Sequence, residues 1–444
     1  MLKNIYVIIL AGGVSSRLWP FEDKSLIKFS GRPLLAIQLD HYISAGFRKF
    51  AIIANKENKE PINAILSDFP SDIWFHLYVQ EEAKGMGNAI LQVEPLTHNP
   101  PSSVPVYITQ VHDVFNSKLH EHMASAFAEN SARSYLAGIE TEDYFPGGYL
   151  IVDPSRKITG IVEKPGKGNE PSNLVNIVAH MHPDLGKLIA AIKAEYASGA
   201  DSDDHYERAL AKLMQEYEFQ AVPYSDYWFP IKYPWHVLDL MHHYLESISD
   251  HRGKNVKIED GANIVGPVHI EDDVRIFSNA DIRGPVYIGK GTIIGQYASV
   301  RNSMVAANCI IGLRSEVNRS YIGQGTDMHS SLALDSITVD NPEGSRTNLS
   351  AGMITANFRM DHGEIKSNVK GEPLATSRTK FGAVIGPGAF IGINASLAPG
   401  IKIGRDCQIG MNTVVMEDIP DNTRYYFDQP SGKIKQRTRY RADG

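Results

Sequence analysis

The sequence predicts two domains of different class, a Rossmann-like α/β domain followed by a left-handed parallel β-helix. Residues up to about 250 alternate short apolar runs with helical stretches, and residues beyond them place an aliphatic side chain at every sixth position. Length agrees, because 444 residues exceed one compact core and imply roughly two or three domains.

In the first half, residues 6–10, 49–54, 77–80, 106–109, 149–152 and 158–163 read as strands. A stretch after Pro33 and residues 59–66, 184–197 and 203–217 read as helices. Such alternation implies crossover helices on a largely parallel sheet. The segment YWFPIKYPWHVLDLMHHYLESIS reads as a turn followed by a helix that closes this domain. The expected boundaries are residues 1–250 for the α/β domain, 251–423 for the β-helix and 424–444 for a tail. The apolar run at residues 5–10 is far shorter than the roughly 20 residues of a bilayer span and makes a poor secretory signal. It is expected to be a buried first strand.

The second half carries Ile258, Ile264, Ile270, Ile276, Ile282, Ile288, Ile294 and Val300 at a spacing of six. A second register runs through Ile385, Ile391, Leu397, Ile403, Ile409 and Val415, with Gly386, Gly392, Gly404 and Gly410 each following an aliphatic residue. This is a hexapeptide-repeat pattern, in which inward aliphatic side chains stack into one column while small residues and Gly serve the corners. Residues 357–381 (NFRMDHGEIKSNVKGEPLATSRTKF) are too polar for a coil and read as an excursion loop, a frequent carrier of function on a repeat scaffold. The tail (RYYFDQPSGKIKQRTRYRADG) is locally basic; it reads as a solvated end, with contact to the phosphates of a ligand as the other reading.

Composition is that of an ordinary globular chain, 43% hydrophobic and 21% charged. A net charge of −7 without a basic block argues against nucleic acid or an anionic membrane as partner. Cys309 and Cys407 are distant and lack a CxxC partner, so neither a disulfide framework nor zinc is expected. A reducing cytoplasm fits best.

The segment LAGGVSSRLWPFEDKSLIKFSGRPLL, residues 10–35, resembles the opening signature of the sugar nucleotidyltransferases: strand, LAGG, a small residue, SR or TR, then PK. The resemblance implies a GT-A type domain that joins a nucleoside triphosphate to a sugar-1-phosphate and releases pyrophosphate with magnesium. Leu10, Ala11, Gly12 and Gly13 would line the nucleotide. Gly backbone allows close approach to phosphate oxygens, and its amides form an anion nest. Arg17 would grip the triphosphate with a permanently charged fork. Lys24 would face the α-phosphate and the attacking oxygen, although Asp23 stands where the family has Pro. The segment QEEAKGMGNAI is similar to the base-reading segment, with Gln80 on the base edge and Gly85 and Gly87 packing on it. VYITQVHDVF ends in Asp113, matching the magnesium aspartate, with His112 in place of a Gly.

On the sugar side, GGYLIVDPSRKITGIVEKP supplies Gly147, Gly148, Glu163 and Lys164, and LVNIVAHMH supplies Asn176, with Val178 where Gly is usual. Relatives read Trp, any residue, Asp as a second metal position. Here Trp228, Phe229 and Pro230 stand there, and proline binds no metal. Asp226 is a candidate substitute at the wrong spacing. The base is expected to be uracil or thymine and the sugar N-acetylglucosamine or glucose. RLWP is similar to mannose-1-phosphate guanylyltransferases, which keeps guanine open, and Pro230 keeps open a non-catalytic regulatory paralogue.

DMHSSLALDS and NLSAGMITANFRMDHGEIK resemble the acetyltransferase half of bifunctional N-acetylglucosamine-1-phosphate uridylyltransferases, especially archaeal ones. The resemblance implies acetyl-CoA as co-substrate, His329 as general base, Asn357 and Lys366 as ligand contacts, and a trimer with sites between subunits. Leu332 and Gly363 depart from the pattern, where Tyr and a second Lys are expected.

Overall fold

The computed structural model describes residues 2–98, 103–199 and 204–438. Backbone contacts divide the chain into two compact units. The first comprises residues 1–14, 23–26 and 33–230, and the second residues 15–22, 27–32 and 231–444.

The first unit is a mixed sheet between two helical layers. Its strands are β1 (Tyr6–Leu10), β2 (Lys49–Ala54), β3 (Trp74–Val79), β4 (Val106–Gln110), β5 (Asp113–Phe115), β6 (Ser134–Glu140), β7 (Gly148–Val152), β8 (Ile158–Glu163), β9 (Leu174–His182), β10 (Phe219–Tyr224) and β11 (Trp228–Pro230). The main sheet runs β8-β7-β9-β4-β1-β2-β3, and β9 also holds β6, which holds β10. Strands β4, β1, β2 and β3 are parallel. The nine buried residues of β9 run antiparallel to β4, β6 and β7, so the sheet is mixed rather than largely parallel.

The continuous apolar run of β1 is buried on both faces. Val7 and Ile9 join Phe50, Ile52 and Tyr107 on one side, and Ile8 and Leu10 join Ala51, Ile53 and Ile108 on the other. Period-two alternation therefore feeds two cores from one strand. The first core is covered by α1 (Leu34–Ser44), α2 (Lys59–Ser67) and α4 (Lys118–Glu129), the second by α3 (Gly85–Leu91), α5 (Leu185–Ala197) and α6 (His205–Glu216). Helix α1 starts behind Pro33, whose fixed φ suits a helix entry. Helix α5 is capped by Asp184, which accepts from the amides of Gly186 and Lys187.

The second unit contains α7 (His236–Glu246) and a parallel β-helix. Lys257 pairs with Arg275 and Arg275 with Ile293, and side chains 18 residues apart bond along the stack, as Asn263 does with Asp281. Three hexapeptides therefore make one coil. Every aliphatic residue of the two expected registers lies in or against one apolar column, where truncation of a fully buried Ile costs about 2–5 kcal/mol. Cys309 and Cys407 are buried in the same column. Burial pushes their thiols up to about 12 and about 11, so both are inert packing groups.

The corners turn on Asn and Asp as well as on Gly, with Gly261, Gly291, Gly352 and Gly388 at positive φ. Asp273, Asn279, Asn308, Asn394, Asp406 and Asn412 all have positive φ, a conformation these side chains tolerate better than most. The Gly that follows an inward aliphatic residue has another reason: a Cβ on Gly392 would meet the amide of Met411 in the next coil at 2.7 Å.

Residues 357–381 do leave the coil, and Lys366–Val369 pairs with Glu372–Ala375 as a hairpin. Lys433–Thr438 folds back antiparallel on Thr423–Asp428, which continues the β-helix sheet. Residues 439–444 of the expected tail lie outside the described residues.

Candidate active site

The candidate nucleotide residues gather at the C-terminal ends of β1, β2 and β3. Leu10 closes β1, and Ala11, Gly12 and Gly13 follow as irregular backbone. A Cβ on Gly12 would lie 2.9 Å from Gln80 Oε1 and 3.0 Å from the carbonyl of Ala54. Gly12 therefore brings the end of β1 against the end of β3. Gly13 differs, because a Cβ there would meet nothing within 4 Å.

Gln80 is buried. Its Nε2 donates to the carbonyl of Gly85 at 3.2 Å and to Asn88 Oδ1 at 3.0 Å. The Gly85 carbonyl can only accept, so the amide is fixed with Oε1 on the Gly12 side. Gly85 opens α3 at φ +80°, which requires glycine. Gly87 has another task, since a Cβ there would press on Tyr196 and His205.

Asp23 explains its own departure from the family pattern. Its Oδ1 accepts from the amide of Ser25 at 2.7 Å, and its Oδ2 accepts from Asn58 Nδ2. The same Nδ2 donates to the carbonyl of Ala11 at 2.8 Å. The segment that carries Lys24 is thus stapled to the glycine loop through Asn58, a residue the motif reading missed. The turn NKEN after β2, where Asn55 and Asn58 exchange hydrogen bonds, was its only signal. Lys24 is half-buried. Arg17 is exposed on a turn within residues 15–22, which group with the second unit, where Trp19 Nε1 donates to Asp421.

Asp113 opens β5 and is buried. It accepts from Trp228 Nε1 at 3.2 Å, and its carbonyl accepts from Gln38 at 3.3 Å. Strand β11 pairs with β5 so that Pro230 faces Asp113 and Trp228 faces Phe115. The Trp-Phe-Pro segment is therefore a strand beside the aspartate, not the turn expected from the sequence. Asp226 is engaged elsewhere, accepting from Asn116 Nδ2 at 2.6 Å and from the amide of Tyr227 at 2.7 Å. Among the described residues no group of three or more His, Cys, Asp or Glu forms a metal cluster. The residues fit magnesium held by one carboxylate and completed by substrate oxygens, not a two-carboxylate site.

Gly148, Glu163 and Asn176 come together. Glu163 pairs with Gly148 across β8 and β7, and a Cβ on Gly148 would lie 3.1 Å from Glu163 Oε2 and 3.5 Å from Asn176 Cβ. Lys164 Nζ is 3.3 Å from Glu163 Oε1, and its amide donates to the carbonyl of Gly147. Glu207 of α6 is a further acid that the motifs do not reveal. It is buried, and desolvation first, then the neighbouring Glu163 charge, pushes its carboxyl up to about 8. The shift favours its protonated form.

In the second unit His329 and Lys366 are exposed. Asn357 donates to Asp335, whose carboxylate also accepts a forked pair of bonds from Arg319 at 2.6 and 2.7 Å. Among the described residues no hydrogen bond or ion pair joins His329, Asn357 and Lys366 within one chain.

Comparison with known proteins agrees with this architecture. Residues 6–231 match the nucleotidyl transferase family, and residues 267–302 and 382–416 match the bacterial transferase hexapeptide (six repeats). A bifunctional sugar-1-phosphate nucleotidylyltransferase/acetyltransferase of Sulfurisphaera tokodaii is 29% identical over 93% of this chain and 97% of its own length. Bifunctional GlmU proteins of Methanococcus vannielii and Methanocaldococcus jannaschii are 30% and 29% identical, each over 94% of this chain and 97% of their own length. With its first unit matched nearly end to end and its coils matched beyond it, the chain belongs to the nucleotidyl transferase family and carries a hexapeptide-repeat β-helix.

Proposed function

We infer that this protein joins a nucleoside triphosphate to a sugar-1-phosphate and releases pyrophosphate, with UTP or dTTP as donor and N-acetylglucosamine-1-phosphate or glucose-1-phosphate as acceptor. The carrying observation is the fixed amide of Gln80. With Nε2 committed to Gly85 and Asn88, Oε1 is an acceptor that suits the imide N–H of uracil or thymine. Guanine also offers a ring N–H, and mannose-1-phosphate guanylyl transfer is the competing base assignment.

An oxygen of the sugar-1-phosphate attacks the α-phosphorus, one P–O bond forms, the α–β bond breaks, and pyrophosphate leaves. No protein nucleophile takes part. Lys24 and Arg17 neutralise phosphate charge, the amides after Ala11 hold phosphate oxygens, and Gly148, Glu163, Lys164 and Asn176 place the sugar phosphate. This is catalysis by positioning and charge stabilisation. Magnesium bound through Asp113 would neutralise charge on the phosphate oxygens.

The hexapeptide domain is assigned a second activity, acetyl transfer from acetyl-CoA to an amino-sugar-1-phosphate, with His329 as base. Asn357 and Lys366 would act at a site completed between subunits. Exposed apolar side chains on its coils, including Phe390, Ile393, Met411, Val414 and Met416, support subunit association, which we assign as a trimer. Pro230 favours the competing reading of a sugar-nucleotide-binding protein that does not turn over.

Pyrophosphate release with magnesium over a panel of triphosphates and sugar phosphates tests the main activity. Turnover that collapses in Lys24→Ala is expected. Sugar-nucleotide binding without turnover from any pair would select the non-catalytic reading. Thiol release from acetyl-CoA with glucosamine-1-phosphate, lost in His329→Ala, tests the second activity.

A further inference from the structure

Five buried polar groups form a continuous hydrogen-bonded chain through the first unit. Ser134 Oγ lies 3.0 Å from His182 Nδ1, and His182 Nε2 lies 3.4 Å from the Tyr206 hydroxyl. That hydroxyl lies 2.8 Å from His180 Nδ1, and His180 Nε2 lies 2.9 Å from Asn176 Oδ1. All five residues are at least nine-tenths buried. Asn176, His180 and His182 are even-numbered positions of β9, which places them on one face of the strand.

The far end of the chain opens on a cavity of about 470 Å³ at the edge of the sheet where β1, β4, β6 and β10 begin. Ser134 and His182 line it together with Phe127, Tyr217, Phe219 and Lys187. This volume lies in the usual range for small-molecule sites, roughly 300–1,000 Å³. Asp184 also lines it, but its carboxylate is committed to the first amides of α5. Lys187 Nζ sits 4.2 Å over the Tyr217 ring. Aromatic walls with one ammonium group suit a small planar organic anion.

Every member of the chain can both donate and accept, and burial keeps both imidazoles neutral, with His182 pushed down to about 3 and His180 well below its usual value. Two concerted arrangements follow. In one, donation runs from Ser134 to Asn176 Oδ1, both imidazoles carry Nε2–H, and Asn176 offers its NH₂ to the sugar side. In the other, donation runs from Asn176 to Ser134, both imidazoles carry Nδ1–H, the Asn176 amide is turned over, and the Ser134 proton points into the cavity. Interconversion takes up one proton at Ser134 from the cavity and gives one up from His180 Nε2 to the sugar side, relayed by the Asn176 amide that faces it, so the proton count is unchanged.

We propose that this cavity binds a small organic anion whose oxygen accepts from Ser134, and that the chain reports its occupancy by turning over the amide of Asn176. The step from cavity to sugar selection rests on the reading of Asn176 as a sugar contact. A two-state element biased by both sites is the physical requirement for such coupling.

The test uses the full-length protein labelled with ¹⁵N-histidine, with benzoate and phenyl phosphate as probes that separate carboxylate from phosphate. Saturation with a bound probe should move the His180 and His182 signals from Nε2–H to Nδ1–H. It should raise the KM for sugar-1-phosphate at least about fivefold, the low end of ordinary allosteric coupling, without changing the KM for triphosphate. Lys187→Ala should lose probe binding. Tyr206→Phe should bind the probe without the KM response, and Ser134→Ala, which loses a contact to the anion, should bind it more weakly and show no KM response at saturation. Failure of both probes to bind, unmoved imidazole signals at saturation, or a wild-type response in Ser134→Ala would each overturn the proposal. The tautomer readout needs no turnover, so a protein inactive in the pyrophosphate assay would sink the catalytic reading while the imidazole signals still decide this one.

Discussion

Pro230 lies directly across an antiparallel ladder from Asp113, so the position where relatives carry a second acidic residue stands beside the first and bears no ligand. Pro230→Asp should supply that carboxylate without moving the strand. We expect the magnesium concentration for half-maximal pyrophosphate release to fall about tenfold, equivalent to ~1.4 kcal/mol. An unchanged magnesium requirement would show that the pair does not share a cation.

The bonds from Asn58 Nδ2 to Asp23 and to the carbonyl of Ala11 tie the lysine segment to the glycine loop. Asp23→Ala and Asn58→Ala should each lower kcat. A double-mutant cycle on stability should give a coupling of about 0.5–3 kcal/mol, as for residues in one network. Additive effects would mean the staple is not a unit.

The two glycines of the loop should respond differently to a methyl group. Gly12→Ala forces the Ala54 carbonyl and Gln80 to move and should cost about 1–3 kcal/mol of stability, measured by denaturant unfolding. Gly13→Ala has open space and should fold normally, but raise the KM for triphosphate. Equal loss of stability in both would contradict the contacts described.

Glu207, with its carboxyl raised to about 8 from 4.5, holds a proton in the folded state that the unfolded chain releases. Its contribution to stability is complete below pH 4.5 and declines as pH rises to about 8, at no more than ~1.4 kcal/mol per pH unit. Thermal unfolding between pH 5 and 8.5 should show Glu207→Gln losing less stability than the wild type across that window. Parallel curves would remove Glu207 as the source.

The fold was legible wherever local chemistry repeats. Six-residue spacing marked the aliphatic column because each inward position must be apolar whatever its neighbours do. The buried run of β1 marked a central strand for the same reason. Strand β11 was not legible, because Pro230 argues against a strand and its pairing with β5 spans more than a hundred residues of chain.

In the candidate site, the order and spacing of LAGG, Lys24, Gln80 and Asp113 form local motifs, and the structure brings Gly12 and Gln80 together at adjoining strand ends. The role of Asp23 was not legible, since its partner Asn58 lies on another turn, and Glu207 carries no motif. By itself the sequence determined the α/β fold class of the first half and the repeat architecture of the second, since these follow from hydrophobic spacing and side-chain chemistry. Only the tertiary structure decided that Pro230 faces Asp113, that Gln80 turns an acceptor toward Gly12, and that Asn176 ends a buried chain reaching a cavity. Hydrogen-bond polarity and burial depend on groups far apart in the chain, and only folding brings them together.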